Sequence, residues 1–178
     1  QEDPTIVVKP INSNKFIGGA GIVAAHAASL GANVKYITIT GEDHIKDFAI
    51  SELTKYGVKT NIFIDETRPT TLKQRFRTKG KTLLRVSHLH QNAINNKIQK
   101  EILLEIKNNI EQFNLLIFSD FNYGCLPTEL VNEIIQLAKK NNIMMIADSQ
   151  SSSQVGDISR FKGMSLLTPT EREARISL

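Results

Sequence analysis

The sequence predicts an α/β fold, in which a parallel sheet carries helices on both faces and a small separate β-sheet forms a flap. Three observations lead there. Short apolar strands recur between helical stretches, and strands that are apolar on both faces must be covered on both. In the middle of the chain, three extended stretches follow one another with no helix between them. That break in the alternation marks the flap.

The elements follow in order. Residues 5–9 (TIVVK) read as a short strand closed by Pro10 and the polar turn Asn12-Ser13-Asn14. Residues 19–30 are alanine-rich and read as a buried helix with Gly31 just past its end. The β-branched stretch 34–40 is a strand, and Asp43 is placed to cap a helix running to about Tyr56, where Gly57 stops it. Stretches 61–64, 71–77 and 82–86 are extended, and Lys79-Gly80-Lys81 between the last two reads as a hairpin turn. The alternation then resumes with an amphipathic helix at 94–110 and a strand at 115–118. A helix at 127–140 has proline at its first turn, a strand covers 143–147, and Leu166-Leu167 belongs to one more. The expected division is flap strands at about 5–9 and 61–88, with an α/β core at about 18–57 and 94–178.

Composition narrows the function. The chain has 178 residues, 40% of them hydrophobic, enough to bury a core. No apolar run nears the roughly 20 residues a membrane helix needs, and no signal-peptide pattern is visible. The single cysteine, Cys125, excludes an internal disulfide framework and points to a reducing, cytoplasmic setting. A net charge of +4 invites a nucleic-acid reading, but Lys97, Lys100 and Lys107 alternate with Glu101, Glu105 and Glu111 on a solvated helix face. An aromatic share of 6% leaves few stacking platforms, so neither nucleic acid nor membrane is expected as a partner. The opening without methionine and the close on a helix that has barely begun read as the ends of a fragment.

Ligands of open parallel sheets bind beyond the carboxyl ends of the strands. Three polar stretches lie there: 119–124, 148–151 and 168–170. Asp120 and Asp148 are the candidate ligand-facing carboxylates, a helix-capping or turn-holding role being the alternative for each. On the flap, alternation puts Lys73, Arg75 and Arg77 on one face, with Arg85 near by, a concentration of positive charge suited to an anion or to plain solvation. Gly19-Ala20-Gly21-Ile22-Val23-Ala24 has dinucleotide-loop spacing, but Asn12-Ser13-Asn14-Lys15 stands where a strand should feed it directly. His88 and His90 have no cysteine or carboxylate near in sequence to complete a zinc site. Cys125 follows a glycine near a helix start, yet reads as a small packed residue.

An ordered set of motifs resembles the PfkB sugar kinases, in particular the heptose-7-phosphate kinase domains. Gly18-Gly19-Ala20-Gly21-Ile22-Val23-Ala24 is similar to the family's G-G-A-x-N-V-A; Ser29-Leu30-Gly31-Ala32, Gly41-Glu42-Asp43 and Gly57-Val58 follow. Arg68-Pro69-Thr70-Thr71-Leu72-Lys73-Gln74-Arg75, Leu84-Arg85-Val86, Ser119-Asp120-Phe121, Phe161-Lys162-Gly163 and Leu167-Thr168-Pro169 complete it. The resemblance implies a ribokinase-like fold whose β lid closes over the sugar and often joins two copies. It implies Mg²⁺-assisted transfer of the ATP γ-phosphoryl group to a hydroxyl of a sugar or sugar phosphate. By the same resemblance Gly18 and Gly19 approach the sugar, Lys73, Arg75 and Arg85 meet the acceptor or its phosphate, and Asp120 faces it. Asp148 belongs to the nucleotide and phosphate region, and Glu173 matches the glutamate of N-x-x-E near Mg²⁺. The sequence departs from the pattern at Ile22 (asparagine expected), Ser87 (aspartate), Tyr123 (lysine), Ser149-Gln150 (proline-lysine) and Thr170 (asparagine). The G-A-G-D motif that carries the family's base is absent from the chain. These departures imply a segment inactive by itself, or a member that binds a sugar or partner without catalysis; a dinucleotide enzyme is the more distant alternative.

Overall fold

In the computed structural model, which describes residues 7–150 and 156–177, helices and parallel strands alternate on either side of an antiparallel hairpin. Strand β1 (Lys35–Thr40) pairs in parallel with β2 (Lys59–Ile64), and β5 (Leu115–Asp120), β6 (Met144–Ser149) and β7 (Leu166–Leu167) form a parallel sheet in that order. Between them in sequence, β3 (Leu72–Thr78) and β4 (Lys81–His88) make the antiparallel hairpin. The helices are α1 (Gly19–Ser29), α2 (His44–Lys55), α3 (Asn96–Asn109), α4 (Thr128–Lys140) and the short α5 (Glu171–Ile176).

Strand β1 shows why the layers stack as they do. Its odd residues Ile37 and Ile39 pack into the main core with α3 and α4, while Tyr36 packs into a second cluster with Ala24 of α1 and Leu53 of α2. Period-two alternation therefore puts helices on both faces of one strand. Lys35 extends the first face by pairing with Glu105 of α3. The apolar stripe Ile98, Ile102 and Ile106 of α3 meets Leu130, Val131, Ile134, Ile135 and Ala138 of α4 over Phe118, Met145 and Ala147.

Local chemistry sets the element ends. Asp43 caps α2, its Oδ1 accepting from the Ile45 and Lys46 amides at 3.1 Å, and Asn95 caps α3 through the Ile98 amide at 3.0 Å. The hairpin turns at Lys79 and Gly80, both at positive φ (45° and 79°), the backbone a tight hairpin with right-handed twist requires.

Three expectations are corrected. Residues 61–64 belong to the core, not the flap, because β2 finds β1 as a parallel partner. Residues 7–9 form no strand and are exposed, with residues 5 and 6 outside the described residues, so the flap is two-stranded among the described residues. Pro127 stands one position before the first helical residue, as the cap of α4.

Candidate functional site

The start of α1, the two stems of the hairpin and Lys73 of β3 meet one loop, residues 121–126, which follows the carboxyl end of β5. Ser119 and Asp120 end β5, and Asn122 then takes the left-handed conformation (φ 57°) with its amide donating to Asp120 Oδ1 at 3.0 Å. Asn122 Nδ2 donates to the Gln150 carbonyl at 3.2 Å, tying the loop to the end of β6. This turn presents Phe121 and Tyr123 side by side, their ring centroids 6.3 Å apart.

The two rings, the aromatic floor, lie between the amino end of α1 and the hairpin. Gly19 lies against Phe121 so closely that a Cβ there would sit 3.4 Å from the ring, and its φ of 54° is one that few other residues adopt. At the other end, Lys73 of the hairpin holds its Nζ 5.0 Å from the Tyr123 centroid, a cation–π approach. The amino end of α1 and the hairpin thus meet across one aromatic floor. Gly19 and Lys73 lie at opposite ends of this ring pair, and Phe121 and Tyr123, noted in the sequence only through the family pattern, are not among the candidate site residues. Their signal was available: two aromatics spaced by two in a polar strand-end loop.

Arg75 and Arg85 stand directly opposite each other in the hairpin, and the next pair inward on that face is Lys73 with Ser87. Opposed like charges destabilise a sheet, so this arrangement carries a cost that a bound anion would reverse. Arg77, expected on the same face of β3, turns its guanidinium toward the tip of the hairpin. The register slips between Phe76 and Arg77, and the Arg77 guanidinium donates to the Gly80 carbonyl at 3.1 Å, at the tip. The opposite face of the hairpin is mixed: Gln74 and His88 lie toward the stems, while Phe76 and Leu84 are paired and exposed nearer the tip.

The candidate carboxylates are all engaged within the protein, Asp120 and Asp148 in the turn-holding role that is the alternative for each. Asp120, expected to face the acceptor, is 3% exposed and turned inward. Its Oδ2 pairs with Arg160 and accepts from the Ser149 hydroxyl at 3.2 Å, while Oδ1 holds the Asn122 turn. It shapes the aromatic loop from behind. Asp148 accepts from the Thr168 hydroxyl at 3.1 Å and from Gln150 Nε2 at 3.2 Å, linking the ends of β6 and β7. Glu173 folds back so that Oε2 accepts from both the Thr170 amide and hydroxyl at 2.8 Å. Threonine at position 170 thereby makes a capping box at the start of α5.

Two further acids anchor the hairpin base. Asp43 Oδ2 accepts from the Thr70 amide at 2.8 Å. Burial alone would raise its pKa, but the amides of Thr70, Lys46 and Ile45 outweigh burial and hold the carboxyl below its usual value. Asp65 is likewise pushed up by burial and pulled down further by hydrogen bonds from Thr67 and Arg68. Cys125 goes the other way: burial pushes its thiol up to about 11, a direction that disfavours the thiolate. Residues 7–18 hold no strand to feed the glycines before α1, so the dinucleotide-loop context is missing. Among the described residues no three His, Cys, Asp or Glu side chains gather as a metal site, and His88 instead meets Gln74 Oε1 at 3.2 Å.

Residues 2–178 match the family described as pfkB family carbohydrate kinase. The chain is 31% identical over 175 residues to the bifunctional protein HldE of Aliarcobacter butzleri (strain RM4018), covering 98% of this chain and 36% of that protein. It is 33% identical over 178 residues to the HldE protein of Helicobacter pylori (strain J99 / ATCC 700824), covering 99% and 38%. Among solved structures, the tetrameric inhibited form of Escherichia coli phosphofructokinase-2 matches with a TM-score of 0.68 at 19% identity, over 90% of this chain and 51% of that one. Ribokinase from Giardia lamblia matches with a TM-score of 0.67 at 14% identity, over 96% and 58%. These structures bear on the fold, which is ribokinase-like. The chain spans little more than a third of the curated relatives it matches.

Proposed function

This chain belongs to the pfkB family of carbohydrate kinases, and from that premise we propose that it forms the acceptor-binding part of an ATP-dependent sugar-phosphate kinase, with a heptose phosphate as the first substrate to try. The observation that supports this most is the Arg75–Arg85 pair, opposed on the hairpin one pair beyond Lys73 on the same face, the Lys73 ammonium lying over the Tyr123 ring. A sugar ring would lie on Phe121 and Tyr123 with the Gly18-Gly19 backbone close to its hydroxyls. Its phosphate would then be gripped by the two guanidinium groups, whose planar forks suit phosphate oxygens. Closure of the hairpin would exclude water from the acceptor hydroxyl.

The phosphoryl donor is a different matter. In this reading Asp148 and Glu173 lie toward the nucleotide and Mg²⁺, but their carboxylates are engaged with Thr168, Gln150 and Thr170. By themselves the described residues do not fit a Mg²⁺ ion or a triphosphate. Without a G-A-G-D base the segment alone is expected to be inactive. The exposed Phe76–Leu84 pair fits pairing with a second copy through the lid, and the kinase reading carries with it a cytoplasmic setting. No helix among the described residues is long and apolar enough to cross a membrane.

A non-catalytic sugar binder is the second reading. It is favoured by Ile22, which stands partly exposed on α1 where the family pattern has asparagine and cannot hydrogen-bond a sugar. The test is ADP release by the intact protein across a panel of sugars and sugar phosphates. Turnover of a phosphorylated acceptor, with Arg85→Ala raising its KM about tenfold or more, supports the kinase reading. Binding without turnover supports the second reading, and no binding or turnover with any sugar sinks both.

A further inference from the structure

The hairpin leaves and re-enters the body through two stems, and one side chain ties both to the aromatic loop. Arg68 is 8% exposed and lies on the outgoing stem between β2 and β3. Its Nε donates to Asp65 Oδ2 at 2.7 Å, Nη1 to the Tyr123 carbonyl at 3.0 Å, and Nη2 to the Asn92 carbonyl at 2.9 Å. These acceptors belong to the outgoing stem, the loop bearing Phe121 and Tyr123, and the returning stem between β4 and α3. Around this guanidinium the backbones close tightly. The Ile94 amide donates to the Gly124 carbonyl at 3.0 Å, and a Cβ on Gly124 would overlap the Asn92 carbonyl. On the outgoing side, Thr70 is fastened to Asp43 and to Gly41, whose amide donates to Thr70 Oγ1 at 3.1 Å.

We propose that Arg68 is a positioning residue: it sets the hairpin's basic face at a fixed height over the Phe121–Tyr123 floor, and the hairpin moves only beyond its grip. Strands β3 and β4 are largely exposed beyond the stems, so their placement over the floor depends on where the stems are held. Only a planar group with donors on three nitrogens reaches all three acceptors at once; a lysine ammonium does not span them. This inference rests on the acceptor-site reading above, and its consequence is specific. Loss of the fork loosens the acceptor site without touching residues that meet the acceptor.

The test uses the intact protein with Arg68→Lys and with the paired change Asp65→Asn/Arg68→Met, which leaves no uncompensated buried charge. Amide hydrogen exchange at Thr70 and Ile94 reports on the stems whether or not the protein turns over. Steady-state kinetics report the KM for the sugar phosphate and for ATP separately. For Arg68→Lys we expect faster exchange at Ile94 and an acceptor KM raised about tenfold with ATP KM unchanged. The paired variant should recover thermal stability while its acceptor KM stays raised. If acceptor KM returns to the unsubstituted value together with stability, Arg68 is a structural residue only and the proposal is overturned. Unchanged exchange at Ile94 in Arg68→Lys overturns it as well. If the unsubstituted protein turns over no sugar, the kinase reading fails and the exchange measurement alone decides the role of Arg68.

Discussion

The α3–α4 layer and the β3–β4 hairpin are held by opposite means. In the layer, Leu130 and Val131 are 1% and 0% exposed, and each packs against side chains from several elements. In the hairpin, most residues are exposed, two arginines oppose each other, and attachment runs through polar bonds at the stems. Burial gives the layer one fixed arrangement. Few buried contacts leave the hairpin at the low-stability end, where ligand-closing elements belong.

That contrast can be broken at several points. Leu130→Ala should cost about 2–5 kcal/mol by denaturant unfolding, because it opens a cavity in the best-packed layer. An undiminished midpoint would mean the layer is not the stability centre. Gly124→Ala should cost ~1–3 kcal/mol from its φ of 77° alone. The overlap with Asn92 should also raise proteolysis within the hairpin, and an unaltered digestion pattern would count against tight stems.

Acid should act on the stems before the layer. Asp43 and Asp65 have folded-state pKa values below their unfolded ones. Their contribution is therefore present above the unfolded carboxylate value of about 3.9 and is lost as pH falls through the lower folded values. Exchange at Thr70 should quicken in that window, and Asp43→Asn should remove part of the pH dependence. Smallest in stability is Arg75→Ala: a change within about 0.5 kcal/mol, since it relieves the opposed charges and removes no buried contact. A large loss of stability there would show that the hairpin is packed rather than merely attached.

Much of the architecture was legible in the residues themselves. The helix cap at Asp43, the stop at Gly57, the hairpin turn at Lys79-Gly80 and the strand–helix alternation all depend on interactions within a few positions. Such preferences act wherever the segment lies. The candidate site was legible only in part. Gly19 and Lys73 were marked by their motifs, but the floor between them needed the turn at Asn122 to bring Phe121 and Tyr123 together.

What the sequence by itself determined is therefore the set of elements, the family resemblance and the basic character of the hairpin. Tertiary structure decided that β2 joins β1, that Asp120 points inward to Arg160 forty residues on, and that Arg68 binds three segments at once. The reason is physical. A strand's partner and a buried charge's counter-charge are chosen by what long-range folding brings alongside, since an unpaired edge or charge in the interior is too costly to leave, and no short stretch of sequence carries that information.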